Sequence, residues 1–124
     1  MRTMLRGKIH RATVTEADIN YEGSVTLDIH LMEAADILPY EMVHILDVSN
    51  GVRLETYAIP GGRGTGEVQI NGAAARLVNK GDIVLILVYE IMSDQDAHRH
   101  APRLVYVDEE NVITRVIQPE PAHA

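Results

Sequence analysis

Apolar and polar residues alternate along most of this chain instead of recurring at helical spacing. Between Ser24 and Ile29 the apolar positions Val25, Leu27 and Ile29 fall two apart, which is the spacing of a strand with one buried face. Thr3 to Val14 is a longer, irregularly alternating strand segment. Met42 to Val48 and Arg53 to Ile59 flank Asn50-Gly51. That dipeptide tolerates positive backbone angles, so a hairpin closed by a two-residue turn is expected. Ile83 to Ile91 is nearly uninterrupted apolar sequence and reads as a strand buried on both faces. Glu67 to Asn71, Arg103 to Asp108 and Asn111 to Ile117 complete the strand signals.

Helical spacing is confined to short pieces. Leu31 to Leu38 carries helix formers and meets Pro39, which should end it. Gly72 to Leu77 opens a short helix, and Ser93 to His100 reads as another, capped by Ser93. Pro60-Gly61-Gly62-Arg63-Gly64 is expected to be a loop outside any ladder, Lys80-Gly81-Asp82 a sharp turn, and residues 118–124 a frayed tail. Several short strands with few helices, and no internal repeat, predict one mainly β domain over residues 1–117, a closed or nearly closed barrel.

Composition narrows the picture. The chain has 124 residues, 46% of them apolar, and its five aromatics are all tyrosine, so the core must be aliphatic. A net charge of -7 repels phosphate backbones and argues against a nucleic-acid partner. Yet Arg2, Arg6, Lys8 and Arg11 face only three acids within the first 24 residues. Local binding of a small anion and a merely solvated basic strand both remain open there. Without cysteine there is no disulfide, thiolate nucleophile or zinc-thiolate site. The first twenty residues are too polar for a signal peptide, and the run from Ile83 to Tyr89 is too short to span a bilayer. A cytoplasmic protein with no membrane association is expected. The six histidines lack the spacing of known metal sites, so no metal is expected; His10 is set apart only by sharing a strand face with Lys8.

Three segments could carry chemistry. In Tyr21-Glu22-Gly23-Ser24 a hydroxyl follows a glycine carbonyl between two strands, where it could attack the preceding peptide bond or simply form a turn. On the strand after Asn50-Gly51, Arg53, Glu55 and Tyr57 share one face and Thr56 takes the other. Such a guanidinium could clamp a carboxylate while the phenol serves a reacting atom; equally, this could be a solvent-facing Arg-Glu pair beside a wall tyrosine. Asn71-Gly72-Ala73-Ala74-Ala75 turns a strand into a helix through very small residues. Either backbone N–H groups are bared for an anion, or the helix packs tightly on the barrel. The glycines of residues 61–66 lack the lysine and helix of a nucleotide loop.

Taken in order, Tyr21-Glu22-Gly23-Ser24, Asn50-Gly51 with Arg53 and Thr56-Tyr57-Ala58-Ile59, Ile70-Asn71-Gly72-Ala73-Ala74-Ala75 and Gly81-Asp82-Ile83-Val84 form one pattern. It resembles the pyruvoyl-dependent aspartate 1-decarboxylases, which make β-alanine from L-aspartate for pantothenate synthesis. The resemblance implies a small double-psi β-barrel assembled as a homotetramer, with active sites at subunit boundaries. It implies self-cleavage between Gly23 and Ser24 into residues 1–23 and 24–124, with a pyruvoyl cofactor made from Ser24 and neither metal nor pyridoxal phosphate. That pyruvoyl group would hold the substrate as a Schiff base. By the same resemblance Thr56 serves processing and the substrate pocket, Lys8 and Arg53 bind substrate carboxylates, Gly72, Ala73 and Ala74 line the pocket, and Tyr57 donates a proton. The expected position of Thr56 opposite Tyr57 conflicts with this unless twist or a bulge re-aims it. Leu46 stands where several relatives have tryptophan, which would reshape one pocket wall. Whether maturation needs an accessory protein stays open. So do a non-catalytic binding barrel and an amidohydrolase with Ser24 as N-terminal nucleophile.

Overall fold

The computed structural model describes residues 1–121. It contains nine strands, β1 (Arg2–Thr13), β2 (Glu16–Asp18), β3 (Ser24–Asp28), β4 (Met42–Asp47), β5 (Arg53–Gly61), β6 (Val68–Asn71), β7 (Ile83–Met92), β8 (Arg103–Val107) and β9 (Ile113–Ile117). Two short α-helices, α1 (Ile29–Ala35) and α2 (Asp94–Ala97), and a 3-10 helix at Gly72–Arg76 fill the connections. The strands make one sheet in the order β2-β6-β3-β5-β4-β7-β1-β8-β9. Most neighbours are antiparallel, but β1–β8, β2–β6 and β3–β5 run parallel.

One aliphatic cluster joins Ile9, Val25, Leu27, Val43, Ile45, Ala58, Ile70, Ile86, Val88 and Val105 from seven of the strands. A sheet can converge on one cluster only by curling, so the molecule is a small, mainly β barrel whose sheet is left unclosed between β2 and β9. Each fully buried aliphatic side chain contributes about 1.5–3 kcal/mol. β1 bends through two register irregularities, between Leu5 and Gly7 and between Ile9 and Ala12. The lack of a side chain at Gly7 lets α1 pack there, since a Cβ would collide with the Ala35 carbonyl.

Several expectations change in detail. α1 stops at Ala35, before Pro39 is reached, because Asp36 turns left-handed (φ 59°) and donates its N–H back to Glu33 and Met32. The β4–β5 hairpin has a four-residue loop instead of a two-residue turn. Asp47 still pairs with Val52 through a 2.8 Å bond, while Val48 donates instead to Ile83 on β7 and the Asp47 carboxylate takes the Ser49 N–H. β5 runs on through Pro60 and Gly61, paired with Leu27 and Asp28. Proline is tolerated because pairing on the β4 side stops with the bonds that Ala58 makes to Tyr40 and Glu41, just before β4 begins, leaving no carbonyl there to receive an N–H from position 60. β7 is buried on both faces only at its centre, from Ile86 to Val88, whereas Ile91 is 66% exposed. β2 had no counterpart among the sequence signals. α2 is shorter than expected, but Ser93 caps it by accepting the Asp96 N–H. Residues 118–121 have no regular structure, and the rest of the expected tail, 122–124, lies outside the described residues.

Candidate active site

Register assigns every strand residue a face. Val25 on β3 pairs with Ala58 on β5 and with Ile70 on β6, and all three are core residues. Their chain neighbours therefore point away from the core. Ser24 is opposite Asn71, and carrying the β3–β5 register back one residue brings Ser24 level with Tyr57. On that outer face the Asn71 amide donates from Nδ2 to Ser24 Oγ at 2.9 Å and to Thr26 Oγ1 at 3.0 Å. Gln69 donates to Asn71 Oδ1, which fixes the amide's orientation. The Ser24 hydroxyl points its own proton toward the Glu22 carbonyl at 3.4 Å. Although it faces away from the core, Ser24 is only 1% exposed and Asn71 fully buried.

Gly72 completes this clasp. Its φ of +74° suits glycine, and a Cβ there would come 2.7 Å from Gly23 Cα. The glycine before Ser24 is thus packed backbone against backbone. Asn71 begins the 3-10 helix without a side-chain cap; its Oδ1, the atom that would accept a capping N–H, takes the Gln69 amide instead. Ala73 is exposed and Ala74 half-buried beyond it.

A second cluster lies farther along the same face. Arg53, Glu55 and Tyr57 alternate with the more buried Leu54, Thr56 and Ala58, as strand spacing predicts. Arg53 does not pair with Glu55; its guanidinium donates to Tyr89 Oη on β7 at 2.9 Å and lies 3.4 Å from His44 Nδ1 on β4. The His44 and Tyr89 rings meet edge-on at 4.9 Å. Lys8 on β1 pairs with Leu87, which pairs in turn with His44, so it shares this face. Leu46, opposite Arg53 and Leu85, is half-buried beside them.

The candidate residues therefore fall into two groups. Gly23, Ser24, Asn71, Gly72 and Tyr57 are together; Lys8, Arg53, His44 and Tyr89 stand apart. Four residues of β5 separate Tyr57 from Arg53, about 13 Å at strand spacing, and the guanidinium leans away from β3. Thr56 pairs with the core residue Val43 through a register without a bulge, so its side chain takes the face opposite Tyr57, as expected from alternation. Carrying the β3–β5 register back twice brings Thr56 level with Gly23. Asn71 was missed as a side chain because it reaches Ser24 across 47 residues of sequence; its place in the Asn-Gly-Ala motif was the only local sign. Tyr89 and His44 had no sequence signal, since only strand pairing brings them to Arg53.

Burial, with Lys8 and Arg11 nearby, holds the His10 imidazole below its ordinary pKa, so the basic end of β1 presents a neutral ring between cations. Elsewhere Asp47 is buried and hydrogen-bonded to Asp82, which pushes its carboxyl up, while that bond to Asp47 holds Asp82 down. Among the described residues no group of three or more His, Asp or Glu is placed to hold a metal ion, and no helix is long and apolar enough to cross a membrane.

Fold and site together define a β-barrel protein in which an exposed glycine, Gly23, leads into a buried serine, Ser24, with a cationic cluster on the same outer face. The aspartate decarboxylase family model matches residues 1–114. The chain is 57% identical over 113 residues to the aspartate 1-decarboxylase of Dehalococcoides mccartyi, covering 91% of each chain. It is 53% identical over 122 residues to that of Bacillus velezensis, covering 98% of this chain and 96% of the relative. With the Bacillus subtilis enzyme it shares 53% over 121 residues, 98% and 95% of the two chains. The chain belongs to the aspartate decarboxylase family.

Proposed function

We propose that this protein is a self-processing aspartate 1-decarboxylase of the cytoplasm that supplies β-alanine for pantothenate synthesis. Residues 1–117 are its one barrel domain, cut into 1–23 and 24–124, and its cofactor is a pyruvoyl group made from Ser24. The observation that carries this reading is the clasp on Gly23-Ser24. The Ser24 hydroxyl is held by the Asn71 amide, and Gly72 packs on Gly23 where any side chain would intrude.

Ser24 Oγ attacks the Gly23 carbonyl carbon, the C–N bond breaks, and an ester replaces the amide. The carbonyl oxygen becomes an oxyanion on the way, while the Asn71 amide, with its two N–H groups on the Ser24 and Thr26 hydroxyls, holds the attacking oxygen in place. By likeness to the family Thr56 is the second processing residue. It is level with Gly23, but its side chain lies on the face opposite Tyr57, so this role requires a shift of that side chain toward the Gly23 carbonyl. Loss of the Ser24 Cα proton with departure of Gly23 as a carboxylate leaves dehydroalanine, and addition of water releases ammonia.

The small residues Gly72, Ala73 and Ala74 leave room for the resulting group and its substrate. When formed, the pyruvoyl group supplies an electron sink that no ordinary side chain offers. Arg53 and Lys8 bind the carboxylates of L-aspartate. Tyr57, level with Ser24, delivers its phenolic proton to substrate Cα after CO₂ leaves.

One chain does not bring Arg53 and Lys8 to its own Ser24, which supports a site shared between subunits of a homotetramer. Exposed Leu38 and Met42, 66% and 57% accessible, are suited to such a contact. Intact mass spectrometry tests the proposal. The expected result is two fragments, with 24–124 lighter by one ammonia than a Ser24-initiated peptide. Cleavage of isolated protein on standing, against cleavage only after adding cell extract, tells whether an accessory protein takes part. A chain permanently whole in active material would sink the reading, and a free Ser24 amine would favour amide hydrolysis instead.

A further inference from the structure

Among the described residues four non-glycine residues have positive φ, namely Arg11, Asp36, Tyr40 and Asn111. Asp and Asn tolerate that region, and Arg11 falls in the irregularity of β1 between Ile9 and Ala12. Tyr40, at φ 71°, has no such excuse. It is bulky, and its residue remains 77% exposed, so folding of the chain recovers little from the ring. A strained conformation that packing within the chain does not repay points to a role beyond the chain's own core.

The backbone around it is braced. Tyr40 donates its N–H to the Ala58 carbonyl at 2.7 Å, and Ala58 donates to the Glu41 carbonyl at 3.0 Å. The Glu41 carboxylate accepts the Leu38 N–H at 3.0 Å and bonds to Arg6. The ring so anchored sits 6.4 Å from that of Tyr57, tilted by 31°, within the range of favourable aromatic pairs. Tyr57 is itself 37% exposed, and its phenol makes no hydrogen bond to a described residue, so the neighbouring ring is the specific restraint on its orientation.

We propose that Tyr40 is a positioning residue that holds the Tyr57 ring in line for proton delivery; this rests on Tyr57 being the proton donor. Its contribution is a second aromatic surface, so the ring matters and the hydroxyl does not.

The test uses processed protein labelled with 3-fluorotyrosine, in which five tyrosines give five fluorine resonances and Tyr57→Phe assigns one. Tyr40→Asn suits the left-handed backbone and removes the ring. Expected are a fall in kcat of about three- to tenfold, an almost unchanged KM, a Tm no lower than wild type, and a shifted, narrower Tyr57 resonance. Tyr40→Phe should restore both kcat and the resonance. An unmoved Tyr57 resonance with full kcat in Tyr40→Asn overturns the inference, as does a loss of kcat that tracks loss of Tm, processing or assembly. Full turnover by Tyr57→Phe would instead remove the proton-donor reading, and this inference with it. An inactive Tyr57→Phe beside a normal Tyr40→Asn rejects the inference alone.

Discussion

Asn71 commits its amide to the hydroxyls of Ser24 and Thr26, and this choice shapes the candidate site at the scale of single residues. An asparagine at a helix start ordinarily caps the first turn; here that bond is absent. Asn71→Ala should therefore leave the fold intact but slow cleavage by about a hundredfold, the scale of cost expected when an attacking group is no longer held in line. The fraction of uncut chain against time, read by mass, checks this. Ser24→Ala should leave no cleavage at all. Gly72→Ala places a Cβ 2.7 Å from Gly23 Cα and should also leave the chain uncut, whereas Ala73→Ser, at an exposed position, should process normally.

At the scale of elements, β3 and the glycine-rich segment after β5 are tied by one carboxylate. Asp28 is 3% exposed and accepts the N–H groups of His30, Gly64 and Gly66 at 2.8, 3.1 and 2.9 Å. Burial pushes its carboxyl up, but the three donors outweigh it and hold the pKa below its ordinary value. The unfolded chain thus binds this proton more readily. The stabilisation is complete above the unfolded carboxylate value of about 3.9 and is lost as pH falls through the lowered folded value. Asp28→Asn should lower Tm near neutral pH, costing about 1–3 kcal/mol for donors left poorly paired, and should flatten the fall in Tm below pH ~4. Thermal melts of the two proteins across that range measure both. Such a tie was illegible beforehand: three glycines and a proline announce a loop, but nothing local says that β5 continues to Gly61 or that Asp28 will hold Gly64 and Gly66 beyond it.

For the whole molecule, separation of the two groups on one face predicts complementation. Co-assembly of Ser24→Ala and Arg53→Ala chains, each inactive alone, should recover roughly a quarter of wild-type activity if every site draws on two neighbours at random. No recovery in mixed tetramers would place both groups in one chain's site. Processing of only one of the two chains, seen by mass, provides the internal control.

By itself the sequence determined the alternation that makes Val25, Leu27 and Ala58 core and sends Arg53 and Tyr57 outward. It also determined the opposite face for Thr56 and the Gly-Ser junction with its motif company. These arise from chemistry between near neighbours, where a period of two and the special freedom of glycine act locally. Only the tertiary structure decided that Asn71 would grip Ser24, that Tyr89 and His44 would meet Arg53, and that Tyr40 would stand beside Tyr57. Those contacts depend on which strands pair and in what register, and pairing is settled by burial of the whole curled sheet, not by any one segment.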